Sequence, residues 1–196
     1  SIRLKNLLMF NPDLTTNNRN NILNEFYKLL IENEIRFVCI GNPYYINNEE
    51  GDIDILIKQK DIQKGIKLIR NLFENFQNIF FLEKVTKSTN FSNNIKFLIE
   101  INDDNSPILQ IDLFDSLHWK GFIYTHYNEL TNFIIKDKNT YILKGFTNNY
   151  LGVLKDILYK NKINAKRNYD KLMFSDIENF ISDIGFSKSC SKKLLK

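Results

Sequence analysis

The chain has 196 residues, of which 43% are hydrophobic and 26% are charged, with a net charge of +4 at neutral pH. This length and composition allow one globular domain with a substantial core, and the mild charge argues against a dedicated nucleic-acid binder. No apolar run approaches the ~18 residues of a membrane span, and we expect no signal peptide. The two cysteines fit neither a disulfide framework nor a zinc site, so we expect a cytoplasmic protein.

The first predicted element is a helix from Thr15 or Thr16 to about Asn33. Its apolar residues recur at helical spacing, at Ile22, Leu23, Phe26, Leu29 and Leu30. A short apolar strand over residues 35–40 follows, and it ends at Gly41. The next stretch contains Tyr44 and Tyr45, which either stack on a ligand or pack on the scaffold.

A pair of carboxylates opens the second predicted strand, Asp52 to Ile57. Because side chains alternate along a strand, Asp52 and Asp54 face one way, whereas Ile53 and Ile55 face the core. Two carboxylates on one face repel each other, and a hard cation such as Mg²⁺ is the simplest counter-charge. The alternative is ordinary alternation of solvent-facing polar and buried apolar residues.

A second helix is predicted from Lys60-Asp61 to Phe76, with a third strand over Ile79–Val85 and a polar loop over Lys87–Asn94. Two further strands, Ile95–Ile101 and Ile108–Asp115, form a predicted hairpin and complete a sheet of about five strands. Asp112 lies amid Ile, Leu and Phe in the last of these strands. A carboxylate is costly to bury there unless it is paired or binds a metal. We expect Asp112 to be a third metal ligand, with Asp115 as the fallback.

The last part of the chain is predicted to be helical, from Asn148 or Asn149 to about Lys160 and again from Ala165 to Asp183. We therefore divide the chain into an α/β core, 1–145, and a C-terminal helical segment, 146–196, packed on that core. Residues 136–196 hold 13 basic against 6 acidic residues. This bias suits an anionic substrate, although a solvated lysine-rich face is the common alternative. His118 and His126 show no metal or triad spacing, so we expect structural roles.

Gly41-Asn42, Asp52-Ile53-Asp54 and Asp112 together resemble the signature of the nucleotidyltransferase superfamily, which has the DNA polymerase beta-like fold. Within it, the runs Leu113 to Gly121 and Tyr150 to Lys155 resemble those of the small nucleotidyltransferase domains of bacterial surface-polysaccharide clusters. The resemblance implies an α+β fold with a mixed or antiparallel sheet flanked by helices. It also implies that Asp52, Asp54 and Asp112 are catalytic and hold two Mg²⁺ ions.

The same resemblance implies that Gly41 and Asn42 grip a triphosphate, although the family usually has Ser or Gly at position 42. Lys155 is the candidate for a further phosphate contact from the helical side, ahead of Lys160 and Arg167. The implied reaction moves an NMP from an NTP to a hydroxyl or phosphate of a small acceptor. A fused or partner biosynthetic domain fits this assignment, and a nucleic-acid partner does not.

Three alternatives remain open. A glycosyltransferase could use Asp52 and Asp54 to bind one metal and a nucleotide sugar, without needing Gly41 or Asp112. A non-catalytic module could keep the fold for nucleotide sensing or docking. A toxin-type or antitoxin-type nucleotidyltransferase could modify tRNA or protein. Fold alone does not separate these functions.

Overall fold

The computed structural model describes residues 16–46, 51–74, 79–89, 92–101, 109–119, 122–145, 147–148 and 150–152. These residues form an α+β fold with a seven-stranded mixed sheet. The helices are α1 (Thr16–Glu32), α2 (Ile62–Phe73) and α3 (Tyr127–Leu130), with short 3-10 helices at Gln59–Asp61 and Thr131–Phe133. The strands are β1 (Phe37–Ile40), β2 (Asp52–Ile57), β3 (Ile79–Thr89), β4 (Ser92–Ile101), β5 (Leu109–Phe114), β6 (Ser116–Trp119), β7 (Phe122–His126), β8 (Ile134–Asp137) and β9 (Thr140–Leu143).

The large sheet has the strand order β3-β4-β5-β2-β1-β9-β8, and β6 and β7 form a separate hairpin. Strand β2 runs parallel to β5 and antiparallel to β1, and β1 runs parallel to β9. The other pairs in the large sheet are antiparallel. Strands β2 and β5 therefore lie side by side, although about fifty residues separate them in sequence.

All five predicted strands are present in this sheet, and the predicted fold class is confirmed. The β8–β9 hairpin adds two strands in a stretch where we predicted no element. The predicted polar loop over Lys87–Asn94 is wrong, because β3 extends to Thr89 and β4 begins at Ser92. Cross-strand pairing supplies the backbone hydrogen bonds of these polar residues, so their polarity does not end the strands. Helix α2 ends at Phe73, and Phe76 lies outside the described residues.

One face of the sheet packs against α1 and α2. The apolar stripe of α1 is buried as its spacing predicts, and α2 contributes the buried residues Ile62, Ile66, Ile69, Leu72 and Phe73. They meet the inward side chains of β1, β2 and β5 at Phe37, Cys39, Ile53, Ile55, Ile57, Leu109, Ile111 and Leu113. Fully burying one large aliphatic or aromatic side chain is worth about 1.5–3 kcal/mol, so this layer fixes β2 and β5 firmly.

The opposite face is covered by a smaller apolar cluster. It contains Val38, Leu56, Tyr124, Leu130, Leu143, Tyr150 and Leu151. Residues 145, 147 and 148 are already helical, and the Asn148 N–H donates to the Lys144 carbonyl at 3.0 Å, so the predicted helix start at Asn148 or Asn149 is too late. The remainder of the predicted C-terminal segment lies outside the described residues. None of the helices in the described ranges has the length and apolar content needed to cross a bilayer.

Candidate functional site

The register of β2 and β5 brings the predicted acids together. Asp54 is paired with Asp112 across the two parallel strands, and Asp52 is paired with Gln110. Because paired residues share a face, the acids lie on the face opposite α1 and α2, beside Leu56 and Phe114. The helix-covered core holds Ile53, Ile55 and Ile111 in place, so it also determines where the three carboxylates lie.

Each of Asp52, Asp54 and Asp112 offers a carboxylate oxygen within 4.8 Å of those offered by the other two. Their exposure is graded: Asp52 is exposed, Asp54 is half-buried and Asp112 is buried, at 6%. Gln110 Nε2 donates a long hydrogen bond of 3.4 Å to Asp112 Oδ1. Three carboxylates at this spacing, reached from the exposed side, form a hard oxygen donor set that suits Mg²⁺ or Mn²⁺.

Gly41 makes the turn that follows β1 next to these acids. Its φ of 88° lies in the left-handed region, where glycine is favoured because it has no Cβ. Its neighbour Ile40 is paired with Asp54 across β1 and β2. The Gly41 N–H donates to Asn148 Oδ1 at 2.7 Å, and Asn148 Nδ2 approaches the Gly41 carbonyl at 3.5 Å. Asn148 therefore contacts both backbone groups of the glycine that the resemblance assigns to phosphate binding.

Asn42 and Tyr44 shape the next two positions of the same loop. Asn42 Oδ1 accepts a hydrogen bond of 3.2 Å from the Tyr44 N–H, a local Asx-type turn. The Tyr44 hydroxyl donates to Asn24 Oδ1 of α1 at 3.0 Å. The side-chain oxygen of Asn42 is thus used within the loop, and Tyr44 packs on the scaffold rather than facing the acids.

Tyr45 is buried and also packs on the scaffold. Its hydroxyl accepts a hydrogen bond from the Gln110 N–H at 3.0 Å and lies 3.1 Å from the Gly51 carbonyl oxygen and 3.2 Å from that of Gln110. Burial raises the pKa of this phenol, which is protonated at neutral pH even without that shift, so the hydroxyl can donate as well as accept. The interpretation in which Tyr44 and Tyr45 pack on the protein therefore agrees with their contacts.

A cleft of about 230 Å³ opens beside the acids. Its apolar walls are Ile40, Phe114, Leu117, Tyr124 and Leu151, and its polar groups include Ser116 and His118. We expected His118 to be structural, yet it borders this cleft, at 9% exposure. Alternation along the strand could not have placed it there, because the consecutive residues Ser116, Leu117 and His118 all line the cleft and the β6–β7 register shifts between Leu117 and His118.

The other predicted residues lie elsewhere. Asp115 is buried, accepts a hydrogen bond of 3.1 Å from Ser116 Oγ and is not part of the three-acid group. It lines a second cavity with Lys58 and His126, near the carboxyl end of β2. The backbone N–H of His126 donates to Glu129 Oε2 at 2.6 Å where α3 begins, so His126 has a structural role at that helix start. Lys155, Lys160 and Arg167 lie outside the described residues.

No protein-family model matches the sequence, and no curated protein matches it significantly. Among solved structures, JHP933 from Helicobacter pylori is similar over 92% of this chain and 93% of its own, with 13% identity and a TM-score of 0.46. A second H. pylori structure, described as a "putative nucleotidyltransferase", is similar over 86% of this chain and 80% of its own, with 13% identity and a TM-score of 0.41. Chains this dissimilar can differ in chemistry, so this likeness alone assigns no function.

Proposed function

We propose that the chain is a metal-dependent nucleotidyltransferase that moves an NMP from an NTP to a small acceptor. The observation that carries this proposal is the meeting of Asp52, Asp54 and Asp112 on adjacent strands, within 4.8 Å of one another, at the edge of a cleft. Ordinary alternation of solvent-facing polar residues along β2 does not explain why the buried Asp112 of β5 lies next to Asp52 and Asp54. Carboxylates this close repel one another, and a bound cation would offset that repulsion.

The three acids would hold the metal, and two Mg²⁺ ions are our specific expectation. When bound, Mg²⁺ would offset the charge of the triphosphate and of the pyrophosphate leaving group, and it would lower the pKa of the attacking hydroxyl. The exposed Asp52 and half-buried Asp54 would lie on the triphosphate side. Asp112, which is buried, would lie on the acceptor side, where a carboxylate oxygen could also take the hydroxyl proton.

The proposed transfer needs no reactant other than the NTP and the acceptor. The acceptor oxygen attacks the α-phosphorus of the NTP, its proton passes to a carboxylate oxygen of Asp112, and the bond to the β-phosphate oxygen breaks. Pyrophosphate leaves with the electron pair. The protein contributes mainly position and electrostatics, as is usual for phosphoryl-group chemistry.

Phosphate binding is proposed for the turn after β1. The exposed Gly41 N–H would donate to a phosphate oxygen once Asn148 Oδ1 moves away. Asn42 would donate from Nδ2, because its Oδ1 already accepts the Tyr44 N–H. Lys155, in the basic part of the chain, would add a cation to the triphosphate.

We propose a hydroxyl or phosphate on a small molecule as the acceptor, and the modest cleft supports this choice. A sugar or polyol phosphate used in surface-polysaccharide synthesis is the first class to test, on the basis of the sequence resemblance. Within this proposal the enzyme works in the cytoplasm, alone or joined to another biosynthetic domain. The glycosyltransferase alternative is less favoured, because it gives no role to Asp112.

A pyrophosphate-release assay tests the proposal. Each of the four NTPs is incubated with Mg²⁺ and a panel of sugars, sugar phosphates and polyol phosphates, and the products are identified by mass spectrometry. We expect pyrophosphate and a matching NMP-acceptor adduct from the wild type and neither product from Asp112→Asn. Transfer of sugar from a nucleotide sugar, without any NTP turnover, would instead favour the glycosyltransferase.

A further inference from the structure

Tyr45 connects the two chain segments that carry the metal-binding acids. Its hydroxyl contacts the carbonyl of Gly51, the residue before Asp52, and both backbone groups of Gln110, two residues before Asp112. The pair Asp52 and Gln110 is the first register pair between β2 and β5. The hydroxyl therefore extends the β2–β5 ladder by one step, at the end where Asp52 lies.

Tyr45 is itself held from three directions. Asn20 of α1 brackets its backbone, because Asn20 Oδ1 accepts the Tyr45 N–H at 2.9 Å and Asn20 Nδ2 donates to the Tyr45 carbonyl at 3.0 Å. The guanidinium of Arg19, which is fully buried, lies over the Tyr45 ring with Cζ 3.9 Å from the centroid. A cation over an aromatic ring at this distance is worth about 0.5–2 kcal/mol. The hydroxyl is therefore presented from a fixed ring.

Asp52 needs such support more than the other two acids. It is exposed and begins its strand, whereas Asp54 and Asp112 lie further along the paired strands. The first residue of a strand has few neighbours that limit its movement. A contact that fixes Gly51 relative to Gln110 thus restrains the distance between Asp52 and the other two carboxylates.

We propose that Tyr45 is a positioning residue for the metal site: it holds Asp52 at binding distance from Asp112 through the Gly51–hydroxyl–Gln110 bridge. This inference rests on the proposed metal site and assigns Tyr45 no contact with the metal. Groups that orient metal ligands indirectly typically change metal affinity by 10- to 100-fold when they are removed.

The chain contains a matched pair of variants for the test. Tyr45→Phe removes the bridging hydroxyl and keeps the ring over Arg19. Tyr44→Phe removes a hydroxyl one residue away, which bonds Asn24 of α1 at 3.0 Å and not the strands of the acids. Both variants lose a hydrogen-bonded phenolic hydroxyl on the same loop. Tyr44→Phe therefore controls for a general loss of stability caused by losing such a hydroxyl.

Binding of Mn²⁺ to the full chain is measured by electron paramagnetic resonance, and stability by urea unfolding without metal. We expect Tyr45→Phe to bind Mn²⁺ about 10-fold or more weakly than the wild type, and Tyr44→Phe to bind it normally. In an Asp52→Asn background, the further effect of Tyr45→Phe should shrink, because the ligand that it positions is gone. If Tyr45→Phe does not fold, Asn20→Ala, which loosens the backbone of Tyr45, should weaken binding in the same direction.

The outcomes separate the two proposals. If the wild type binds Mn²⁺ and Tyr45→Phe binds it equally well, the positioning role is wrong and the metal site stands. Equal weakening by Tyr44→Phe and Tyr45→Phe would also overturn the positioning role, since it would show a general effect of the loop. If the wild type binds no Mn²⁺, the metal site fails and the inference fails with it.

Discussion

Replacing Asp112 with asparagine should stabilise the metal-free protein and abolish its response to metal. Asp112 is buried, and its carboxylate lies within 4.8 Å of those of Asp54 and Asp52. Two like charges at that separation repel by roughly 3.5 kcal/mol at an effective dielectric constant of ~20, and by about 0.9 kcal/mol in bulk water. Since Asp52 is exposed, the repulsion between Asp54 and Asp112 dominates. Removing the charge of Asp112 should therefore raise the free energy of unfolding by about 1–3 kcal/mol.

Thermal unfolding in EDTA and in excess Mg²⁺ measures both effects. For a chain of this size, each kcal/mol shifts Tm by roughly 2–4 °C. In EDTA, Asp112→Asn should therefore melt several degrees above the wild type. In Mg²⁺ at about 100 times Kd, the wild type should gain roughly 2.7 kcal/mol and the variant almost nothing, so the order reverses.

Asp115→Asn is the matched control, because Asp115 is also buried but lies outside the three-acid group. It accepts the Ser116 hydroxyl at 3.1 Å, so loss of its charge should weaken that bond and give no stabilisation in EDTA. Its response to Mg²⁺ should match that of the wild type. The reasoning is refuted if Asp112→Asn melts below the wild type in EDTA and Mg²⁺ leaves the Tm of the wild type unchanged.

Three further predictions follow from other contacts. Burial raises the pKa of Cys39 from 9.0 to about 11, so the native state binds the thiol proton more tightly than the unfolded state does. The protonated thiol therefore stabilises the native state fully below pH 9, and this stabilisation is lost between pH 9 and 11. Between pH 9 and 11, urea unfolding should show a steeper loss in the wild type than in Cys39→Ala, by up to about 1.4 kcal/mol per pH unit, because buried tyrosines such as Tyr45 add a loss common to both; equal slopes would contradict it. Glu83→Gln removes the charge of the ion pair with Arg70, whose two hydrogen bonds are 2.6 and 2.7 Å long. Because Arg70 is 44% exposed, urea unfolding should show that the free energy of unfolding falls by less than about 1 kcal/mol and that the difference vanishes in high salt. A larger, salt-independent fall would contradict this. Asn148→Ala should free the Gly41 N–H from its present acceptor. Calorimetry should then show up to about fivefold tighter binding of the Mg²⁺–NTP complex, with unchanged affinity for Mn²⁺ alone. Weaker NTP binding would show instead that Asn148 helps to bind the phosphates.

The sequence predicted the parts of the site that depend on local alternation. The spacing of Asp52 and Asp54 put both on one strand face, and Asp112 stood out as a carboxylate in an apolar strand. Alternation could not show that β2 and β5 are neighbours, because strand order is set by tertiary packing. The expected three-acid cluster therefore assumed that the two strands lie close together, and the Asp54–Asp112 register shows that they are neighbours.

Other features could not be predicted, for physical reasons. Strands β8 and β9 have four residues each and lack clear alternation, so no periodic signal marks them. The contact between Gly41 and Asn148 joins residues 107 apart, and an asparagine near a helix start looks like an ordinary cap. The bridge made by Tyr45 depends on one hydroxyl meeting two strands, and residue type alone does not reveal such a contact.

Calorimetric titration of the four NTPs, with and without Mg²⁺, tests the central claim most directly. The wild type is compared with the double variant Asp52→Ala/Asp54→Ala, which removes the two acids nearest to solvent. We predict that one NTP binds the wild type only in the presence of Mg²⁺ and does not bind the double variant. NTP binding that persists without metal, or that is unchanged in the double variant, would contradict a nucleotidyltransferase site built on these carboxylates.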